Sequence, residues 1–332
     1  MQVYSLSDKI YKIITLLLGI FWVIDGILQF QPKMFTQLFP LKVLYPLISA
    51  QPIFLRLLIH TGINIFSSHL IIFNVLAASL QLLVGLILII PDLKDFRITA
   101  LYISIIWALI VWVFGQGLGM IFTGSASFYT GAPGSAILYI IIAIFLLFPK
   151  SIPEYYMPQV AGLILFIGGI LNETHMFWTK AGQSMLLNLY LGNNFVLLNV
   201  IEIGILFTFG ILLIIKPTKI LGWVMIFFLL LIWCTSQGFG GVINFPNGLA
   251  TDLSSAPLFI LFIVPLLYNN KSYLIPTIFD EKKSVGIINR VVLNKWFFAI
   301  ILICIGVFMG FIFNISVNST SKNTVGVSNM SM

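Results

Sequence analysis

Charge is what this chain has least of. Of its 332 residues only 8% are charged, whereas 60% are hydrophobic, and the mean hydropathy is +1.09. Soluble domains carry about a quarter charged residues, so water cannot be the main solvent of this chain. The net charge of +7 does not indicate nucleic acid, because the basic residues lie in short segments between apolar runs and form no basic patch with interleaved aromatics.

Cysteine and histidine are scarce as well. The two cysteines, Cys234 and Cys304, each lie inside an apolar run, which excludes a disulfide framework and predicts two small buried hydrophobes. With three histidines and no His-x-His or His-x3-His spacing, the sequence predicts no metal site. It also lacks the six histidines and the Cys-x3-Cys loop of haem-copper oxidase catalytic centres, and it has no nucleotide loop, zinc motif or nucleophile elbow.

Long apolar runs predict an all-α integral membrane protein with about nine transmembrane helices. The predicted spans lie at about 13–30, 69–91, 98–115, 134–149, 157–172, 194–215, 218–237, 255–268 and 296–314. A further segment, 52–68, places Arg56, His60 and Asn64 on one stripe of a helix. This pattern favours an interfacial or re-entrant amphipathic helix over a true span.

The distribution of basic residues predicts the orientation. With the N-terminus in the cytoplasm, 12 of the 17 lysines and arginines fall in inner segments and 5 in outer ones. The segment 269–295 is then a basic cytoplasmic loop, and 315–332 is a polar tail outside. Sequons at Asn314, Asn318 and Asn329 agree with an outer tail. We therefore expect a multi-pass cell-membrane protein with its C-terminus outside.

Two stretches of the chain resemble each other. Residues 74–91 match 199–217, and the segment from Trp112 to Gly119 matches that from Trp233 to Gly240, both containing Gln-Gly-x-Gly. Each match is followed by an Ala-Pro pair that we expect to open the next span. The sequence thus predicts two parallel four-helix repeats, 1–150 and 151–268, plus one C-terminal span. A parallel repeat weakens a transporter interpretation without excluding it.

Ionisable groups inside a membrane are costly and are functional hypotheses by default. Asp25 and Glu202 are the two clear cases, each predicted about 7–10 Å below the outer surface; the alternative is a pair of buried, hydrogen-bonded carboxyl groups. His60, His69 and His175 are expected on the same side, and Gln81 is a further polar candidate within a span. Gln116 and Gln237 are expected at the outer boundary, where their glycines could instead serve only as helix caps.

The N-terminal span carries a resemblance to a known family. Leu17-Leu-Gly-Ile-Phe-Trp22-Val-Ile-Asp25-Gly-Ile-Leu-Gln29 resembles the opening of DoxX/DoxD-like membrane proteins. The four-span repeat, the chain size and the isoleucine-rich composition are similar to those of the second, DoxC-like subunit of archaeal DoxBCE-type terminal quinol oxidases, which lacks a cupredoxin domain. The resemblance covers mainly residues 13–150.

This resemblance implies a non-metal membrane subunit of a respiratory quinol oxidase that contributes to quinol binding or complex assembly. It implies quinol as substrate, haem and copper on a partner catalytic subunit, small membrane subunits as further partners, and lipid around the chain. Alternatives are a quinone-reducing subunit of a thiosulfate:quinone oxidoreductase, a transporter or channel, and a purely structural subunit. We expect no catalytic residue on the chain itself. The candidates for quinol binding or proton handling are Asp25, His60, His69, Glu202, Gln116 and Gln237.

Overall fold

The computed structural model describes residues 8–149, 156–179, 181–183 and 195–268, and in these ranges the chain is helical with no β-strand. The predicted all-α class is confirmed there. The predicted loop 269–295, ninth span 296–314 and tail 315–332 lie outside the described residues. The α-helices in chain order are α1 (Asp8–Leu28), α2 (Ile53–Ser68), α3 (Leu70–Ile89), α4 (Arg97–Ile110), α5 (Ser135–Leu147), α6 (Tyr156–Leu171), α7 (Phe195–Ile215), α8 (Lys219–Cys234) and α9 (Ser255–Tyr268).

Several of these helices are long and apolar enough to cross a membrane. Four such segments occur in the described part, at Lys9–Leu28, Leu70–Ile89, Pro91–Gly115 and Val196–Ile215. A fifth results if α8 is joined with the short helix Gly238–Asn244, which is bent from it by 52°. A helix rises about 1.5 Å per residue, so about 20 residues match a hydrocarbon core of about 30 Å. The chain is therefore a membrane protein.

The remaining apolar helices are shorter, and two of them form the centre of the bundle. Helices α5 and α9 have 13 and 14 residues, of which 9 and 11 are buried. Helices that are apolar all round belong inside a protein core, and α9 accordingly contacts α8, α6, α5 and α1. Helices α3 and α7 lie at the surface and expose large aliphatic side chains, including Ile71, Leu76 and Leu197, as lipid-facing helices do.

Two helix pairs pack closely through glycines. In the contact of α1 with α3, a Cβ added at Gly85 would lie 2.7 Å from the carbonyl oxygen of Gly19. In the contact of α6 with α7, a Cβ at Gly162 would lie 2.6 Å from the carbonyl oxygen of Gly210. Small residues at a membrane helix contact let the two backbones approach. The same device therefore holds both pairs.

The two Gln-Gly-x-Gly segments fold alike. Gly117 to Met120 and Gly238 to Gly241 each place four successive residues at positive φ, between 50° and 74°. A Cβ at Gly119 would overlap the carbonyl oxygen of Pro133, and a Cβ at Gly240 would lie 2.7 Å from the carbonyl carbon of Leu253. These two glycines are required both by the left-handed backbone and by the close approach of the following loop.

Each segment's glutamine then holds the start of the next helix. The Oε1 atoms of Gln116 and Gln237 accept hydrogen bonds of 3.1 Å from the backbone N–H groups of Ala136 and Ala256. Their Nε2 atoms donate to the hydroxyls of Ser135 and Ser255. These bonds satisfy groups that a helix N-terminus leaves unpaired. The positions that correspond in the two repeats are thus Ser135-Ala136 and Ser255-Ala256. The predicted correspondence of Ala132-Pro133 with Ala256-Pro257 was wrong, because Pro133 lies before α5.

Helix α2 covers a smaller apolar cluster. Its residues Leu55, Ile59 and Ile63 pack with Met34 and Phe39 from the preceding segment. The predicted helix at 52–68 is thereby confirmed, and its opposite face exposes large apolar side chains such as Ile53, Phe54 and Leu57. Its interfacial position stays a prediction. At the end of α8, Cys234 is exposed and not buried as predicted, because it lies on the same helix face as the exposed Phe227, Leu230 and Leu231. Cys304 lies outside the described residues.

Candidate functional site

Asp25 lies near the C-terminal end of α1 and is only 2% exposed. Its Oδ2 accepts a 2.6 Å hydrogen bond from the hydroxyl of Tyr139 on α5. Its Oδ1 has no hydrogen-bond partner among the described residues, although it is buried. A buried polar atom without a partner is rare in proteins and calls for an explanation. Asp25 is therefore buried and hydrogen-bonded to a neighbouring helix, whereas its depth below the outer surface stays a prediction.

A cavity of about 120 Å³ lies beside Asp25. Most of its wall is apolar or aromatic, with Trp22, Phe66 and Phe114 among the side chains that line it. Gln81 of α3 and Trp107 of α4 also line it. Both carry a buried polar atom without a partner in the described part of the chain, the Oε1 of Gln81 and the Nε1 of Trp107. Two acceptors and one donor without a partner thus belong to residues that line one apolar space, which we call the Asp25 cavity.

A second acid, Asp252, lines the same cavity from the loop before α9. Its Oδ2 accepts hydrogen bonds of 2.8 Å from the Ser135 hydroxyl and 3.1 Å from Nε2 of Gln116. Its Oδ1 accepts a 2.6 Å bond from the backbone N–H of Ser254. Sequence reasoning did not single out Asp252, because a loop acid is ordinarily solvated. The available signal was an Asp three residues before the start of a helix, where its side chain can accept from the backbone N–H two residues on, a typical side-chain-to-backbone turn.

The polar groups around the cavity are otherwise paired. The Nε2 of Gln29 donates to Oδ1 of Asn74 over 2.6 Å, and the Nδ2 of Asn74 donates back to the carbonyl of Gln29 over 2.9 Å. The indole of Trp22 donates to the hydroxyl of Ser104 over 2.9 Å. These bonds fix α1 against α3 and α4. Buried polar atoms without a partner also occur elsewhere in the described part of the chain, among them the Oε1 of Glu202, the Oε1 of Gln183 and the Oδ1 of Asn199.

Glu202 lies elsewhere. It is 3% exposed on α7, and its Oε2 accepts a 3.2 Å hydrogen bond from Nε2 of Gln183. Its backbone carbonyl accepts from the hydroxyl of Tyr129 over 3.1 Å, and burial, followed by the Glu202 charge, raises the pKa of Tyr129 above its ordinary value. Of the described acids, Asp25 and Asp252 line the cavity and Glu202 does not. The structure thus gives Asp25 and Glu202 separate surroundings.

The three histidines do not reach the Asp25 cavity. His60 is half-buried on α2, where its Nδ1 lies 3.4 Å from Nδ2 of Asn64. His69 is exposed at the junction of α2 with α3, and His175 is exposed in the short helix His175–Trp178. Within the ranges that the structure describes, no group of three or more His, Cys, Asp or Glu could hold a metal ion.

Gln116 and Gln237 act mainly as helix-capping residues, as described above. Of the two, Gln116 also contacts a residue that lines the cavity, because its Nε2 donates to Asp252. Among the six candidates, then, the structure brings Asp25 and Gln116 to the neighbourhood of one cavity. It adds Gln81, Tyr139, Trp107 and Asp252, which lie on four different segments and share no sequence motif.

Comparison of the chain with protein-family models, with curated proteins and with solved structures gives no match. The chemistry of the cavity is therefore inferred from its own residues. An acid with an available oxygen, an amide acceptor and an indole donor can bind hydroxyl or carbonyl groups. Apolar walls with a few polar groups are typical of sites for small ring compounds.

Proposed function

We propose that the chain is a non-metal membrane subunit of a respiratory terminal quinol oxidase and that the Asp25 cavity holds the quinol headgroup. The observation that supports this function is the set of three partnerless polar atoms, on Asp25, Gln81 and Trp107, beside an apolar cavity. The resemblance of the first span to DoxX/DoxD-like proteins adds to it.

The headgroup fits this arrangement of donors and acceptors. A quinol hydroxyl group donates to the Oδ1 of Asp25 or to the Oε1 of Gln81, which belong to residues that line the same cavity. The oxidised form presents carbonyl oxygens, to which the Nε1 of Trp107 donates. Cavities of about 150 Å³ hold a benzene ring, so a cavity of about 120 Å³ with an open side is of the right order for one ring. The isoprenoid tail extends into lipid.

The chemistry of this chain is proton transfer. Oxidation of a quinol to a quinone releases two electrons and two protons. Haem on a partner subunit would accept both electrons. Asp25 takes the first proton as a general base through Oδ1, while the bond from Tyr139 holds the carboxyl group in place, and the second proton passes to water.

The same proposal includes the finer architecture. It has nine spans, with two parallel four-helix repeats at 1–150 and 151–268. An N-terminus in the cytoplasm and a C-terminus outside account for the distribution of basic residues. The matching glycine contacts and matching glutamine caps support a duplicated unit. The orientation is tested by labelling single cysteines placed at Asp92 and at Asn247 in a Cys234→Ser, Cys304→Ser background. Reagent that does not cross the membrane should label the second from outside and the first only after the membrane is opened; labelling of both from one side contradicts the orientation.

The function itself is tested in membranes that contain the chain and its partners. Asp25→Asn and Trp107→Phe should each lower the rate of quinol-dependent oxygen uptake by at least about tenfold, because loss of one positioned general base costs about 10²–10⁴-fold and loss of a bound hydrogen bond less. Glu173→Gln, an exposed acid distant in sequence from every cavity residue, is the control and should change nothing. Unchanged uptake in both cavity variants removes the quinol assignment.

The quinone-reducing subunit of a thiosulfate:quinone oxidoreductase is the alternative that the same cavity would serve, with the proton moving toward the ligand. Co-purification separates the two. Haem-bearing partners together with quinol-dependent oxygen uptake support the oxidase. Thiosulfate-dependent quinone reduction without haem supports the alternative.

A further inference from the structure

The residues with charged side chains that line the Asp25 cavity are both acidic. Asp25 and Asp252 line it and interact electrostatically with each other. No lysine, arginine or histidine stands among the described residues that line it. The groups that donate to the two acids, from Tyr139, Ser135, Gln116 and Ser254, together with the backbone N–H of Leu253 near Asp25, are all neutral. Two carboxyl groups thus share a low-dielectric space without a protein cation, which favours a bound proton or a bound positive charge.

The walls suit an organic cation better than a metal ion. The rings of Trp22 and Tyr139 lie 4.1 Å apart between centroids, and Phe66, Trp107 and Phe114 also line the space. Aromatic faces attract ammonium groups, more strongly where water is excluded. A metal ion would need more carboxylate, carbonyl or water oxygens than an aromatic cavity offers.

The two partnerless acceptors define which kind of cation fits. The Oδ1 of Asp25 and the Oε1 of Gln81 are buried acceptors beside the same space; Asp25 is 2% and Gln81 6% exposed. A protonated amine donates up to three hydrogen bonds and can serve both. Its apolar substituent packs against the cavity wall.

We infer that the Asp25 cavity binds small hydrophobic ammonium compounds, a protonated amine carrying an aromatic or alkyl group, through Asp25, Gln81 and Asp252. This inference goes beyond the proposed function and does not depend on it, since it requires neither quinol nor a partner subunit. Where both ligands bind, the ammonium compound competes with quinol for the same space.

The test is calorimetric titration of the full-length chain, purified in a neutral detergent, with 2-phenylethylammonium and with the neutral 2-phenylethanol. The ammonium compound should bind at least about tenfold more tightly, because hydrogen bonds to charged groups are stronger than neutral ones by enough to give that factor. Equal affinity for the two compounds, or no binding of the ammonium compound, overturns the inference.

Two variants locate the site. Asp25→Asn keeps an acceptor for Tyr139 and should lower the affinity for the ammonium compound at least about tenfold while changing that for the alcohol less than about threefold. Asp252→Asn is a second variant, on a loop, and should lower the same affinity by a smaller factor. Asp92→Asn, an exposed acid in another segment, should leave it unchanged. Wild-type affinity in both cavity variants contradicts the site. A quinone titration of the same samples separates this outcome from failure of the quinol proposal.

Discussion

The hydroxyl of Tyr139 donates a 2.6 Å hydrogen bond to Oδ2 of Asp25 and ties the central helix α5 to α1. The bond occupies one carboxyl oxygen and leaves Oδ1 without a partner in the described part of the protein. Asp25 is therefore held in position by Tyr139, while its other carboxyl oxygen has no hydrogen-bond partner among the described residues. The proposed quinol and ammonium sites both depend on this division of the two oxygens.

Removing the donor should weaken the fold. Tyr139→Phe leaves both oxygens of a buried acid without a partner, so the free energy of unfolding should fall by about 1–3 kcal/mol. Tyr45→Phe is the matched control, since its hydroxyl bonds to Asn64 at an exposed position, and it should change stability by less than about 0.5 kcal/mol. Thermal unfolding in detergent measures both. Equal losses of stability in the two variants would contradict a larger contribution of the buried bond than of the exposed one.

Alanine should be poorly tolerated at the two crowded left-handed glycines. Gly119→Ala and Gly240→Ala combine a positive φ with a clash against the backbone of the following loop, so each should destabilise the protein by well over about 1 kcal/mol. Gly124 has a φ of 75° with nothing within 4 Å of an added Cβ. Gly124→Ala therefore measures the cost of the left-handed backbone alone, expected at about 1–2 kcal/mol. If Gly119→Ala unfolds at the same temperature as Gly124→Ala, the proposed clash is absent.

Alanine substitutions at glycines within the helix pairs should likewise differ between crowded and uncrowded positions. Gly85→Ala and Gly162→Ala push apart α1 from α3 and α6 from α7, and we expect each to cost about 1–3 kcal/mol. Gly204→Ala on α7 is the control, because an added Cβ there meets nothing within 4 Å; it should be neutral or stabilising by up to about 1 kcal/mol. Equal unfolding temperatures for Gly204→Ala, Gly85→Ala and Gly162→Ala would contradict the close helix packing at Gly85 and Gly162.

The two capping glutamines should respond differently to a negative charge. Gln116→Glu replaces a donor to Asp252 with a second carboxylate and should destabilise the protein by about 1–3 kcal/mol. Gln237 makes the same cap with Ser255 and Ala256, which carry no carboxylate, so Gln237→Glu should cost less by about 1 kcal/mol or more. Unfolding of the two variants side by side checks the difference. A larger loss at Gln237 would contradict the proposed arrangement around Asp252.

Composition and apolar run length were enough to predict the class of this protein, because a membrane helix satisfies all its backbone groups within one segment. The helix at 52–68 was predictable from the stripe of Arg56, His60 and Asn64. The start of α5 at Ser135 was predictable to within one residue, since the predicted span begins at 134. The match between the Ala-Pro pairs of the two repeats was wrong, because Pro133 lies before α5 whereas Pro257 lies inside α9. The resemblance to the Dox-type proteins and the quinol function stay predictions that the present comparisons do not test.

The site was only partly predictable, for a physical reason. Asp25 stands out in sequence because a charge inside an apolar run is costly. Tyr139, Trp107 and Asp252 do not stand out, since tyrosine and tryptophan are common in membrane helices and an acid in a loop is ordinary. Their role arises from tertiary packing that brings α1, α4, α5 and the loop before α9 around one cavity. The expectation that the candidates share one side of the membrane could not separate Glu202 from Asp25 and Gln116.

The most direct test of the account is photoaffinity labelling of the complex with an azidoquinone, followed by mapping of the labelled peptides. The account predicts label on segments that line the Asp25 cavity, above all those containing Gln81 and Trp107, with loss of that label in Asp25→Asn and in the presence of excess quinol. Label that falls instead around Glu202, or that persists at the same level in Asp25→Asn, contradicts the assignment of the quinol site to this cavity.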